Sequence, residues 1–195
     1  MKGKAIIFSA PSGAGKTTIV KHLLQLDLGL EFSISACSRP PRAQEVDGQD
    51  YYFMSVEDFR KHIKQDEFVE WEEVYRDHFY GTLKTELDRI WNRQKHVVFD
   101  VDVVGGLNLK RYFGRNALAV FVQPPSMQEL EKRLRDRSTD TDDKILDRME
   151  KAGDEMKSAA QFDVILVNDK LENTLLQGED IVRDFLDQPL IQEKE

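Results

Sequence analysis

The chain has one cysteine in 195 residues, Cys37, so no intramolecular disulfide can form. No apolar run approaches the ~20 residues that cross a membrane as a helix. The four histidines stand apart, without metal-ligand spacing or a cysteine cluster nearby, which argues against a structural zinc site. Positive charge is in deficit: 28 Lys and Arg face 36 Asp and Glu, a net charge of −8, and a broad nucleic-acid surface needs the opposite balance. No internal repeat or low-complexity segment is present. The opening Met1-Lys2-Gly3-Lys4 runs into Ala5-Ile6-Ile7-Phe8, but this apolar run is too short for a signal peptide and ends in a Gly-rich turn. It reads as a first β-strand. The expected compartment is the cytoplasm, with neither membrane nor nucleic acid as partner.

With 40% apolar and 33% charged residues, the length suits one substantial α/β domain carrying an insertion. Short apolar runs at Ala5–Ser9, Val97–Phe99, Ala117–Val122 and Val164–Val167 read as buried strands. Phe32–Ser35, Tyr51–Met54, Phe68–Val74 and Phe79-Tyr80 read as further strands. Thr17–Leu26 has helical spacing. Ser55 with Asp58, and Ser126 with Glu129, look like caps opening helices to about Gln65 and Arg137. Thr82 is expected to cap a helix to Arg93, and Gly105-Gly106 to break the chain before a short helix. Asp140–Ala160 reads as a long polar helix and Leu171–Phe185 as the last one. The order fits a parallel sheet with crossover helices. The stretch from about Ser35 to Trp91 is the exception, since its short strands without long crossovers predict an antiparallel insertion.

Ser9-Ala10-Pro11-Ser12-Gly13-Ala14-Gly15-Lys16-Thr17-Thr18 lies between the first strand and the first helix, the context a phosphate-binding P-loop needs. Gly13 and Gly15 let backbone N–H groups turn inward, and the helix N-terminus adds partial positive charge. Lys16 can reach β/γ-phosphate oxygens, and the Thr17 hydroxyl can ligate Mg²⁺. Ala10 replaces the first glycine of G-x-x-x-x-G-K-[ST], which would strain the loop if that position needs positive φ. The bland alternative is a Gly-rich turn with a solvated lysine; the agreement of motif and flanking elements outweighs it. Asp100 ends a hydrophobic strand, where it can partner the P-loop's magnesium or simply cap the next helix. The upstream P-loop favours the metal.

Between Ser33 and Tyr51, Arg39 and Arg42 stand beside prolines as a stiff, forked anion site, to which Tyr51 and Tyr80 could add hydroxyls. Taken alone, a surface loop with solvated arginines explains them equally well. Glu131 to Arg137 could be an ordinary salt-bridged helix face.

The order of motifs resembles the guanylate kinase family over nearly the whole chain. The P-loop is similar to S-G-P-S-G-x-G-K-[ST]. Ser38-Arg39-Pro40-Pro41-Arg42 with Glu45, Gly48 and Asp50-Tyr51 resembles T-R-x-P-R-x-G-E…G-x-x-Y. Phe68-Val69-Glu70-Trp71, Tyr80-Gly81-Thr82, Asp100-Val101-Asp102, Pro124-Pro125-Ser126, the arginine-rich stretch Arg133 to Arg148 and Val167-Asn168-Asp169 match as well. The departures are Ala10, Cys37-Ser38, Gln44 and Ser138.

The resemblance implies an α/β fold with a P-loop parallel-sheet core, residues 1–34 and 92–195, flanked by helices. It also implies a small β-rich GMP-binding insertion at 35–91 and a helical lid at about 126–158. It implies an ATP:GMP phosphotransferase that uses Mg²⁺, and dGMP as an additional acceptor; a monomer or homodimer is expected. ATP would be held by Ser12, Gly13, Ala14, Gly15, Lys16, Thr17 and Thr18, with Asn168 and Asp169 near the adenine, and the metal by Thr17 and Asp100. Arg39, Arg42, Tyr51 and Tyr80 would hold the GMP phosphate, with Glu45 also in the GMP site. Ser35, Glu70 and Thr82 would hold guanine, with Asp102 nearby. Lys16, Arg39, Arg42 and the lid's Arg133, Arg137 and Arg148 would act in catalysis. Glu70 also has a chemical reading of its own: a carboxylate accepts guanine's adjacent N1–H and N2–H₂ together and repels the acceptor N1 of adenine. Read alone, a solvated strand glutamate remains its alternative. Two rivals differ: a binding module without catalysis, against which Lys16 and Thr17 stand, and a sugar-phosphate kinase, against which Ser35, Glu70 and Thr82 stand.

Overall fold

A computed structural model describes residues 3–137 and 141–191; the side chain of Arg137, together with Ser138 and Asp140, lies outside what is described. The chain runs β1 (Ala5–Ser9), α1 (Lys16–Gln25), β2 (Leu30–Phe32), β3 (Ala36–Cys37), β4 (Tyr52–Phe53), α2 (Val56–Lys64), β5 (Phe68–Tyr75), β6 (His78–Leu83) and α3 (Lys84–Trp91). It continues through β7 (His96–Val101), α4 (Val103–Phe113), β8 (Ala117–Gln123), α5 (Met127–Arg137), α6 (Asp142–Lys157), β9 (Val164–Val167) and α7 (Leu171–Asp187).

A five-stranded parallel sheet, in order β2-β7-β1-β8-β9, forms the centre. Its strands read as continuous apolar runs because helices cover both faces: every residue of β1 is buried. One face packs Phe99, Phe113 and Phe121, the other Ile19, Leu23 and Val182. The register pairs Phe8 with Asp100 and Ser9 with Val101, so β1 and β7 end together. Ligands of open parallel sheets bind beyond such carboxyl ends, and here the P-loop lies beside Asp100 and Asp102.

The second sheet, β4-β3-β6-β5, is mixed and not wholly antiparallel: β3 pairs antiparallel with β6 but parallel with β4. Its small core is Ala36, Phe59, Phe68 and Phe79, with Phe59 stacked on Phe68 at 4.4 Å.

Four local expectations change. The strand expected at Phe32–Ser35 ends at Phe32, and the next residues cross between the sheets. Thr82 caps nothing; it belongs to β6 and donates its hydroxyl to Glu70 (2.9 Å), while Leu83 holds the N-cap position of α3 without a side-chain bond. Gly105 and Gly106 do not break the chain but lie in the first turn of α4. A Cβ on Gly106 would sit 2.2 Å from Ser9 Oγ, so glycine is what lets α4 lie against the end of β1. Ala10 has no positive φ, which removes the strain expected of it. The caps at Ser55 and Ser126 form, accepting from the backbone N–H of Asp58 (3.0 Å) and Glu129 (3.1 Å). The polar helix anticipated from Asp140 begins at Asp142 within the described residues.

Candidate active site

A cleft of about 580 Å³ opens between the two sheets. Its floor is the P-loop. Gly13 and Gly15 take φ of 92° and 94°, and Gly15 holds the N-cap position of α1 with no side chain of its own to occupy the anion site. A Cβ on Gly15 would fall 2.3 Å from Asn168 Nδ2. Buried Asn168 donates that amide to Ala14 O at 2.7 Å, so it braces the loop from the end of β9. Asp169 is exposed beside it.

Lys16 Nζ pairs with Asp100 Oδ1, and Thr17 Oγ1 donates to Asp100 Oδ2 at 2.8 Å. Burial pushes the Lys16 ammonium down to about 8, with Asp102 and Glu155 opposing. Asp100 is thus bound to the P-loop and does not cap the following helix. Asp102 does that, its Oδ1 accepting from Gly105 N–H at 2.8 Å. Thr17 and Asp100 set hard oxygen donors side by side. Among the described residues no group of three or more His, Cys, Asp or Glu could hold a metal.

The opposite wall is the second sheet. Strand alternation turns Glu70, Glu72 and Val74 to the cleft, with Ser35, Tyr51 and Tyr80 beside them. Burial pushes Glu70 up to about 7, with the charges of Asp102 and Glu72 adding and the buried Thr82 hydroxyl opposing. Arg39 lies behind this wall rather than in it. Its Nε donates to Tyr80 OH (3.1 Å), and its two terminal nitrogens grip Glu45 at 2.6 Å each, under the Tyr51 ring at 5.0 Å. Glu45 also accepts from Arg42 N–H (2.7 Å), and Arg39 pulls its pKa down to about 2. Glu45 therefore orients Arg39 and does not face the cleft. Arg42 is exposed on the same loop.

The third wall is α6, which supplies Arg148, 3.5 Å from Ser12 Oγ, together with Lys151 and Glu155. Arg133 points elsewhere: it donates to Glu129 and to the Asn168 carbonyl, both at 3.1 Å. Sequence reasoning missed Lys151, Glu155 and Glu72 as lining residues. The signal was present, because Arg148, Lys151 and Glu155 share one helical face and Glu72 continues the alternation of Glu70. Glu72 Oε2 is buried without a hydrogen-bond partner among the described residues, and burial raises its pKa beside Asp102.

No helix of the described residues is long and apolar enough to cross a membrane. A family model described as guanylate kinase matches residues 2–185. A guanylate kinase of Bacteroides thetaiotaomicron is 51% identical, covering 95% of this chain and 91% of that protein. One from Porphyromonas gingivalis is 50% identical over 94% of this chain and 98% of its own length. The crystal structure of guanylate kinase from Anaplasma phagocytophilum superposes with a TM-score of 0.76 at 25% identity, over 95% of this chain and 87% of that one. The chain belongs to the guanylate kinase family, the enzymes that phosphorylate GMP with ATP.

Proposed function

We propose that ATP lies along the P-loop and GMP along the second sheet, with transfer between them in the cleft. The observation that carries this is the facing of two unlike walls. One offers Lys16, Thr17 and inward-turned loop backbone; the other offers an acidic acceptor, Glu70, and the Arg39-backed tyrosines. A GMP phosphate oxygen attacks the γ-phosphorus in line, the bond to the β-phosphate oxygen breaks, and ADP leaves as GDP forms. The protein's part is positioning and electrostatics. Lys16 exchanges Asp100 for phosphate oxygens. Ser12 to Thr18 cradle the phosphates, while Asn168 and Asp169 edge the adenine side. Tyr51, Tyr80, Arg39 and Arg42 hold the acceptor phosphate, with Glu45 orienting Arg39. Ser35, Glu70, Thr82 and Asp102 hold guanine.

Thr17 and Asp100 would hold Mg²⁺, which when bound neutralises charge developing on the transferring phosphates. Residues 1–34 and 92–195 serve as the nucleotide-triphosphate core and 35–91 as the acceptor unit. The segment at about 126–158 is the lid, which brings Arg148 toward the phosphoryl group; Arg133 would join it by leaving Glu129 and the Asn168 carbonyl, and Arg137 is the lid's third arginine. The small cleft and the net charge of −8 support small molecules, not nucleic acid, as partners. Substrates of this kind suit a cytoplasmic enzyme, working as a monomer or homodimer.

The assignment of the two walls is tested by titration calorimetry on Arg39→Ala. GMP affinity should fall by about 2–4 kcal/mol, the cost of a charge-assisted contact to a dianion, with ATP affinity nearly unchanged. An equal loss for ATP would place this arginine on the other substrate.

A further inference from the structure

The chain passes from the central sheet to the second sheet through residues 33–35 and returns through α3 to β7. One buried carboxylate, Glu86 on α3, holds both crossings. It is 2% exposed, and four donors converge on it. Oε1 accepts from Ile34 N–H (2.8 Å) and an Arg89 terminal nitrogen (2.7 Å). Oε2 accepts from Tyr52 OH and Arg89 Nε, both at 2.9 Å. Burial raises the pKa of this carboxyl, but Arg89, Ile34 and Tyr52 more than offset it, so the group stays ionised. Arg89 in turn pairs with Glu31 and donates to Phe32 O (3.1 Å), both on β2 of the central sheet. The chain of contacts therefore runs from central-sheet β2 through Arg89 and Glu86 to Ile34 and Tyr52.

The residues next to those two are Ser35 and Tyr51, which line the cleft. Tyr52 N–H also donates to Ser35 O at 2.9 Å, so Tyr52, which Glu86 holds, is tied directly to the lining residue Ser35. None of this machinery touches the cleft itself, and stability alone does not require it: a buried ion pair is often no better than apolar packing of the same volume. What it does specify is direction. A carboxylate with four fixed donors allows one orientation of the outbound crossing against the returning helix.

We propose that Glu86 is a positioning residue for GMP phosphorylation, setting the acceptor wall against the P-loop by holding Ile34 and Tyr52. The proposal rests on the placement of GMP beside Ser35, Tyr51 and Glu70. Its consequence is selective: loosening Glu86 displaces the acceptor relative to the donor and leaves the P-loop, built from β1, α1 and β9, untouched.

The test compares steady-state kinetics of wild type, Tyr52→Phe, Glu86→Gln and their double variant, with Glu70→Gln as a control for the acceptor site. Thermal denaturation is followed in parallel. Tyr52→Phe removes one hydroxyl and keeps the ring packed against the small core, so it should fold; Glu86→Gln disturbs Arg89 and is the riskier variant. KM for GMP should rise about three- to tenfold in Tyr52→Phe, the range of one lost hydrogen bond. KM for ATP should stay within about twofold, because the P-loop is not part of the network. The two substitutions should be non-additive, since each breaks the same link. The proposal is overturned if Tyr52→Phe leaves KM for GMP intact while Glu70→Gln raises it, or if melting temperature falls with both KM values unchanged. If Glu70→Gln leaves GMP kinetics intact while Tyr52→Phe alters them selectively, the coupling stands and the guanine assignment of Glu70 falls.

Discussion

At the residue scale, two side chains combine unusual burial with a direct chemical task. Lys16 is a lysine whose burial weakens its hold on its proton, kept charged by Asp100, Asp102 and Glu155 around it. Lys16→Met should lower turnover by about 10²–10³, the scale of one lost electrostatic donor, while the protein remains folded by circular dichroism. Near-normal turnover would remove the P-loop from the chemistry. Glu70 must be ionised to accept two N–H donors, yet burial raises its pKa to about 7. The binding form is the deprotonated one, so kcat/KM for GMP should fall as pH drops below about 7, approaching tenfold per unit, and level off above it. Because the folded state binds this proton more tightly than the unfolded state, the associated stability is present at low pH and lost as pH rises through about 7. Glu70→Gln should therefore raise the melting temperature of the unliganded protein at pH 8 while abolishing that pH step in GMP kinetics. A lowered melting temperature there, or an unchanged pH profile, would contradict the burial argument.

At the element scale, what could be read from sequence was what is local. The P-loop is a contiguous motif between a strand and a helix, and the caps at Ser55 and Ser126 reach only three residues along the chain. The rest depends on partners far along the chain. Thr82 has the composition of a helix cap, but Glu70, twelve residues back and across the β5–β6 pair, takes its hydroxyl. Gly105-Gly106 has the look of a breaker until Ser9, at the end of another strand, demands the space. The parallel pairing of β3 with β4 cannot be inferred from two strands of two residues each. Glu45 enters the GMP site only through the family motif, and only the fold reveals that Arg39 is its partner. The helix α6, part of the proposed lid, carries its own prediction. Arg148 lines the cleft from α6, 3.5 Å from Ser12 of the P-loop, so Arg148→Ala should reduce kcat far more than the KM of either nucleotide, by up to the ~10³-fold low end for arginine fingers. Single-turnover kinetics would show whether the loss is in chemistry; a raised KM with unchanged kcat would make Arg148 a uniform binding residue.

At the scale of the whole molecule, a central parallel sheet, a small mixed sheet and the helix α6 converge on one cleft, each bringing a different kind of group. The order of elements gave the first of these reliably, since long apolar strands alternating with helices leave few other arrangements. The mutual placement of the walls rests on long-range contacts such as Glu86 with Ile34 and Asn168 with Ala14, which no local pattern announces. The cleft is proposed to transfer phosphoryl groups from ATP to a guanine nucleotide chosen by Glu70. The most direct measurement is kcat/KM for GMP, IMP, AMP, CMP and UMP at fixed saturating MgATP, for wild type and Glu70→Gln. A site whose buried polar groups are left unpaired rejects the wrong partner by up to ~10⁴-fold. GMP should lead, AMP, CMP and UMP should be poor, and IMP, which lacks the N2 amino group, should fall between GMP and AMP. Glu70→Gln should lose most of the GMP value. Wild type using AMP as well as GMP, or Glu70→Gln retaining full GMP activity, would contradict it.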